Sequence, residues 1–449
     1  MTTATTPLLF PEVLAANNLE DLDAPHGLTQ ADLDWLHHVS LSSHTLRAAQ
    51  TPPMSAETIR LQVDANAPIP LAGCLVLKAL TDADAAQTQP AFLYTPYGGI
   101  RKFDSPEALE EKMEAMLDSP AERDDLFRLL SISQRAELNS TSAIRTTRQR
   151  IDGDVFNTLV ESIEFAQSLN ARTMVDELIK LPSLSTMLDA ILNEVLSNFD
   201  HRQTRVTMST WSSVGSQKAS QLTRSMTLSE AVLAYFHSQG RPAGQDVDFI
   251  HPGITVSPQN KRQWESVLKV TASNLIPSLA HCIDAYWDAT GPFNTSRRRF
   301  LSQVLSDALQ ATILIKGEKR QLTEAHTQEL LRLYRPSRPD EPLLFIETLR
   351  LWEYEPLYVE LAGSLMIRAK GHYLYTPSHG LEKVDNYLGF KDALLNTPTG
   401  AGRKEELYGL LSLEERNRFL RFDDPQVSGK AVTWAVFESL ADAIIGKQS

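Results

Sequence analysis

These residues predict an α+β protein, predominantly α-helical, in which duplicated β-hairpin-plus-helix units flank a central helical region. The first ground is an internal repeat. Residues 93–135 align without a gap on residues 374–416 at a constant offset of 281. Tyr94, Pro96, Gly99, Lys102 and Asp104 recur as Tyr375, Pro377, Gly380, Lys383 and Asp385, and Leu126, Leu129, Leu130, Ser131 and Arg135 recur as Leu407, Leu410, Leu411, Ser412 and Arg416. Upstream, Leu71-Ala72-Gly73 recurs as Leu361-Ala362-Gly363, with a longer polar insert in the first copy. The second ground is apolar spacing at steps of three and four between the copies, the signature of one-sided helices. The third is composition: 42% hydrophobic and 22% charged residues belong to a globular chain with a core, not to a disordered one.

In order, residues 1–60 form an N-terminal segment with one helix. Thr29 is its N-cap, and Asp32 and Asp34 lie in the first turn, where the helix dipole favours acids. His37, His38 and His44 follow at spacings that share no helical face, so surface histidines are the ordinary reading and a metal site the sharper one. Residues 61–150 hold the first repeat. An apolar strand from Leu71 and a second at Phe92-Leu93-Tyr94 close on a turn at Pro96 and Gly98-Gly99, and a helix starts with Ser105 as N-cap and Pro106 at its first position. Leu109, Met113 and Met116 supply its buried stripe, answered in the second copy by Phe390 and Leu394. Such a unit is too small to bury its own faces, so the copies pack either on each other or on the middle of the chain.

Residues 151–350 read as a central helical domain, with Val155, Leu159 and Ile163 on one face and Leu184, Leu188, Ile191 and Val195 on another. Trp264, Val267, Val270, Leu275 and Leu279 continue the pattern, and a further helix after Ser296 carries Leu301, Val304, Leu305, Ala308 and Leu309. Residues 344–351 fit helix or strand equally. Residues 351–449 bring the second repeat and end in an amphipathic helix with Trp434, Phe437, Leu440, Ile444 and Ile445, an ending that suits the front of a longer protein.

Charge and motif content narrow the function. A net charge of -13 opposes nucleic-acid binding, and residues 1–150 hold 20 acidic against 12 basic side chains. Cys74 and Cys282 alone give no disulfide framework. The N-terminus lacks the basic start of a signal peptide, and no apolar run spans a membrane, so the chain is expected to be made in the cytoplasm. There is no phosphate loop, zinc-binding His-Glu-x-x-His or nucleophile elbow, so no cofactor is implied and a non-catalytic role is expected. Lys102 with Asp104, and Lys383 with Asp385, have the look of turn salt bridges.

Two basic clusters are candidate anion or partner sites. Residues 201–228 contain no acid, and Arg202, Arg205, Lys218 and Arg224 make them either an exposed Ser/Thr-rich loop or hairpin, or a docking patch for an acidic protein or lipid headgroups. Arg297, Arg298 and Arg299 stand in a helical first turn, the unfavourable end of the dipole for cations. Either carboxylates such as Asp284 or Asp288 compensate them, or they hold an anion with the free backbone N–H groups.

The block from Tyr94 to Asp104, residues 181–184 and 222–236, and Tyr286-Trp287 through Ser296-Arg297-Arg298 resemble the N-terminal domain of large bacterial dermonecrotic-toxin-like proteins. The resemblance covers most of residues 60–449, and the second copy departs from it with Val384 where the first has Phe103. It implies a non-catalytic delivery, docking or scaffold region of a bacterial toxin or effector, with a host or bacterial protein or a membrane surface as partner and export by a signal-peptide-independent route. The alternatives are an enzyme with an anion site near residues 297–299 and a stand-alone protein-binding module.

Overall fold

The computed structural model describes residues 10–18, 27–63, 66–80, 89–139, 144–196, 201–214, 217–334, 344–354, 357–395, 401–432 and 435–447. Among these residues the fold is helix-dominant α+β, 52% helical and 26% strand, with three antiparallel sheets. Two compact units divide the chain: Met1–Asp176 with Pro292–Ile444, and Glu177–Gly291 with Ile445–Ser449.

The first unit opens with α1 (Phe10–Ala15), α2 (Gln30–Leu36) and α3 (His44–Ala48). Thr29 caps α2 through a reciprocal box in which its side chain accepts from the Asp32 N–H and Asp32 accepts from the Thr29 N–H. A meander follows of β1 (Met54–Val63), β2 (Ile69–Ala79), β3 (Ala91–Thr95) and β4 (Gly99–Phe103), then α4 (Pro106–Asp118), α5 (Pro120–Phe127) and α6 (Ile132–Asn139). Next, β5 (Ile144–Arg150) returns to pair with β1, giving the order β4-β3-β2-β1-β5, and α7 (Val155–Leu178) closes the copy.

The second unit contains α8 (Leu184–Val195), β6 (Arg205–Val214), β7 (Gln217–Thr227), α9 (Leu228–His237), β8 (Gln245–Ile250), α10 (Pro258–Ser273) and α11 (Leu275–Asp288). Its sheet, ordered β7-β6-β8, shares a core with the helices through Leu188, Val206, Met208, Tyr235 and Trp264. The central region is therefore not helical throughout: the Ser/Thr-rich stretch is a β-hairpin, because Val206, Met208 and Met226 alternate inward. The helical stripes are narrower than the spacing suggests. Leu184, Val195 and Val270 are exposed, since only the middle turns of α8 and one flank of α10 face the core.

The first unit resumes with α12 (Arg297–Glu318) and α13 (Glu324–Leu331), then β9 (Phe345–Tyr354), β10 (Leu357–Arg368), β11 (His372–Thr376), β12 (Gly380–Val384), α14 (Gly389–Leu395), α15 (Ala401–Gly409), α16 (Leu413–Phe419), β13 (Gln426–Ala431) and α17 (Val436–Gly446). The ambiguous residues 344–351 are strand, and the sheet order β12-β11-β10-β9-β13 reproduces that of the first copy. Each copy is thus a five-stranded sheet, larger than a hairpin. β1 begins at Met54 and β9 at Phe345, ahead of residues 61 and 351. The offset of 281 also places Val155, Phe156, Leu159 and Ile163 of α7 on Val436, Phe437, Leu440 and Ile444 of α17.

The repeated letters are backbone devices. Gly73 (φ 71°) and Gly363 (φ 75°) lie where β2 and β10 slip register against β1 and β9, and a left-handed residue permits that bulge. Thr95 and Thr376 accept hydrogen bonds from the N–H groups of Gly98 (2.9 Å) and His379 (3.3 Å), and Gly99 and Gly380 close the turns in the left-handed region. Ser131 and Ser412 each form a capping box, with Gln134 and Glu415. Lys102, expected to pair with Asp104, instead reaches Asp32 of α2 at 2.6 Å, a partner seventy positions away that no local pattern displays.

Both sheets share one core with α12 and α13. Leu309, Ile313 and Leu330 pack in the same cluster as Ile59, Leu61 and Leu93 of the first copy and Leu365, Ile367 and Tyr373 of the second. Each such fully buried aliphatic contributes about 2 kcal/mol over an exposed one, which drives both copies onto the helix pair.

Candidate functional site

A cleft in the first unit lies where α5 and α6 of the first copy meet α12. It encloses about 300 Å³ and is lined by Asp124, Phe127, Arg128, Arg135, Asn139, Gln303, Ser306, Asp307, Gln310 and Tyr334. Four of these, Gln303, Ser306, Asp307 and Gln310, repeat at the i, i+3, i+4, i+7 spacing that puts them on one flank of α12. That polar stripe was the signal for the cleft in the sequence, and apolar periodicity alone passes over it.

Asp307 anchors the cleft floor. It is buried, accepts from Arg135 Nη2 at 2.7 Å and Nη1 at 3.3 Å, and accepts from Asn170 Nδ2 of α7 at 2.9 Å. Asn170 Oδ1 in turn accepts from the Ile132 N–H at 2.8 Å. Burial pushes the Asp307 carboxyl above its usual range, against the opposing pull of Arg135. Gln310 donates to the Arg128 carbonyl (3.1 Å), and Tyr334 donates to the Ser306 carbonyl (3.0 Å) while stacking on Phe437. Arg128 Nε is buried without a hydrogen bond, 4.0 Å from the Asp125 carboxylate.

Two further buried carboxylates tie the central helices to the sheets. Tyr94 donates to Glu318 Oε1 at 2.6 Å, and the other Glu318 oxygen is buried without a hydrogen bond. Burial pushes the Glu318 carboxyl up to about 7 and, with Glu318 beside them, raises the Tyr94 hydroxyl and Cys74 thiol as well. Glu329 of α13 accepts from the Tyr373 hydroxyl (2.9 Å) and from the N–H of Lys370 (2.7 Å). Tyr375, the repeat partner of Tyr94, is also buried in the shared core.

The expected sites fall elsewhere. Arg298 pairs with Asp442 of α17 at 2.5 Å, and the Ser296 hydroxyl accepts from the Arg299 N–H, which occupies one of the free donors of that helix end. Arg202 lies 3.7 Å from Asp189. Arg205 and Arg224 are exposed on β6 and β7, in registers that place them on opposite faces of the hairpin. Thr227 N–H and side-chain bonds, and then both arginines, hold the Glu230 carboxyl below its usual value. The side chains of Lys218 and Trp211, like Trp434, lie outside the described residues. His37 bonds the Ala16 carbonyl, and no group of three potential metal ligands occurs among the described residues. No helix among them is long and apolar enough to cross a membrane. No family model matches the chain, and no curated protein matches it.

Proposed function

We propose that this chain is a non-catalytic docking or scaffold region of a bacterial toxin or effector. The observation that carries the reading is the use made of the buried polar groups: Tyr94–Glu318, Arg135–Asp307 and Tyr373–Glu329 each tie a sheet-bearing copy to α12 or α13. Groups held this way build a stiff frame, because each buried charge needs its partner and resists displacement. The toxin or effector context rests on the resemblance of the Tyr94–Asp104 block and the scattered central motifs.

The β6–β7 hairpin supplies the docking element. It carries Arg205 and Arg224 exposed on its two faces, with Arg202 just ahead of it, and this local excess of positive charge attracts an anionic surface. The reading of residues 297–299 as an enzymatic anion site is the weaker one, since Arg298 is engaged by Asp442.

Flotation of the whole chain with vesicles containing about a third phosphatidylserine tests this, alongside an R202E/R205E/K218E/R224E variant and neutral vesicles. Binding to anionic vesicles alone, lost in the variant and at high salt, supports docking through the hairpin. No binding in any arm removes the membrane as the docked surface, and turnover of a substrate overturns the non-catalytic reading.

A further inference from the structure

We infer that the cleft between α5, α6 and α12 is a binding site for a small zwitterion, an amino acid carrying its free ammonium and carboxylate groups. This goes beyond the docking role, which concerns the other unit of the chain.

The two copies provide an internal control. The second copy has the same sheet order and the same helices, yet carries Gly409 and Leu420 at the positions of Arg128 and Asn139. The architecture therefore does not require those two polar side chains, and in the first copy they line a cleft. Structural need does explain Arg135: its guanidinium is occupied by Asp307. Arg128 differs: its side chain is half-buried along the cleft, and its Nε faces inward with no hydrogen bond, 4.0 Å from the Asp125 carboxylate. A planar guanidinium lining a cleft matches a carboxylate.

The remaining lining sets the rest of the ligand. Arg128 and Arg135 balance Asp124 and Asp307, so the cleft favours a ligand of both charges over a simple anion. Asp124 stands exposed at the rim one helical turn before Arg128, within reach of an ammonium on a ligand whose carboxylate meets Arg128. Gln303, Gln310 and Asn139 offer amide donors and acceptors to a polar side chain, and Phe127 supplies an apolar wall. A volume of about 300 Å³ is at the small end of ligand pockets and accommodates an amino acid.

The test is isothermal titration of the full chain with each of the twenty free amino acids. N-acetylated and amidated forms of any binder follow, and the R128Q and D124N variants are checked for native circular dichroism. The expected result is saturable binding of at least one polar amino acid, weakened about tenfold or more in each variant and by either blocking group. Binding that survives amidation or R128Q unchanged overturns the assignment, as does failure of all twenty to bind the folded wild-type chain. Vesicle flotation of R128Q separates the two proposals: it is expected to match wild type whatever the titration gives.

Discussion

Ile163 and Ile444 occupy the same place in the two copies. The space a Cβ would take on Gly73 lies 3.4 Å from the Ile163 Cδ1 and 3.0 Å from the Pro96 Cγ; on Gly363 the matching distances are 3.3 Å to Ile444 and 3.0 Å to Pro377. The bulge, the turn proline and the closing helix therefore form one repeated packing unit.

Gly73→Ala and Gly363→Ala should each destabilise the chain by about 2 kcal/mol or more, because both add a Cβ to a left-handed backbone and press it on a proline ring. Urea unfolding measures this. A loss below about half a kcal/mol at either site would show that the glycine is not required there.

Glu318 makes stability depend on pH. Its carboxyl titrates at about 7 when folded against an ordinary 4.5, so the folded chain holds the proton more tightly than the unfolded one. Stability is then full below about 4.5, falls as pH rises towards 7, and levels off above; the swing is at most about 3 kcal/mol. Glu318→Gln should flatten this profile between pH 5 and 8, and an unchanged slope would count against the buried proton.

Arg135→Met leaves Asp307 buried with Asn170 as its remaining polar partner, and should cost about 3 kcal/mol. The double change Arg135→Met with Asp307→Leu should recover much of that, since it removes the stranded carboxylate. Chemical denaturation of both variants checks the order; a double variant less stable than the single would refute the account.

Arg47 is fully buried and donates to three carbonyls, those of Leu41 (2.8 Å), Gly153 (3.0 Å) and Ile151 (2.5 Å). Burial lowers its pKa from the usual arginine value, with Asp154 and Asp152 opposing. Arg47→Met keeps the stem and loses the donors, so it should destabilise by about 3 kcal/mol. Hydrogen exchange should rise first at residues 151–153; protection there equal to wild type would argue against the role.

The sequence by itself determined what is written within a few residues: the duplication, the Thr29 and Ser105 caps, the Thr-Pro turns closed by Gly99 and Gly380, and the helix-rich α+β class. These depend on backbone geometry and side chains that bond their near neighbours, and such signals survive in a linear reading. Of the cleft, it displayed only Arg135 as a repeated letter and the polar stripe on α12. Tertiary structure decided the rest. It brought β5 and β13 back to the sheet edges, set Lys102 on Asp32, and placed Asp307, Glu318 and Arg47 in surroundings that shift their protonation. The cost of burying a charge depends on which groups surround it, and here those partners lie as much as 224 positions apart, beyond the reach of any local pattern.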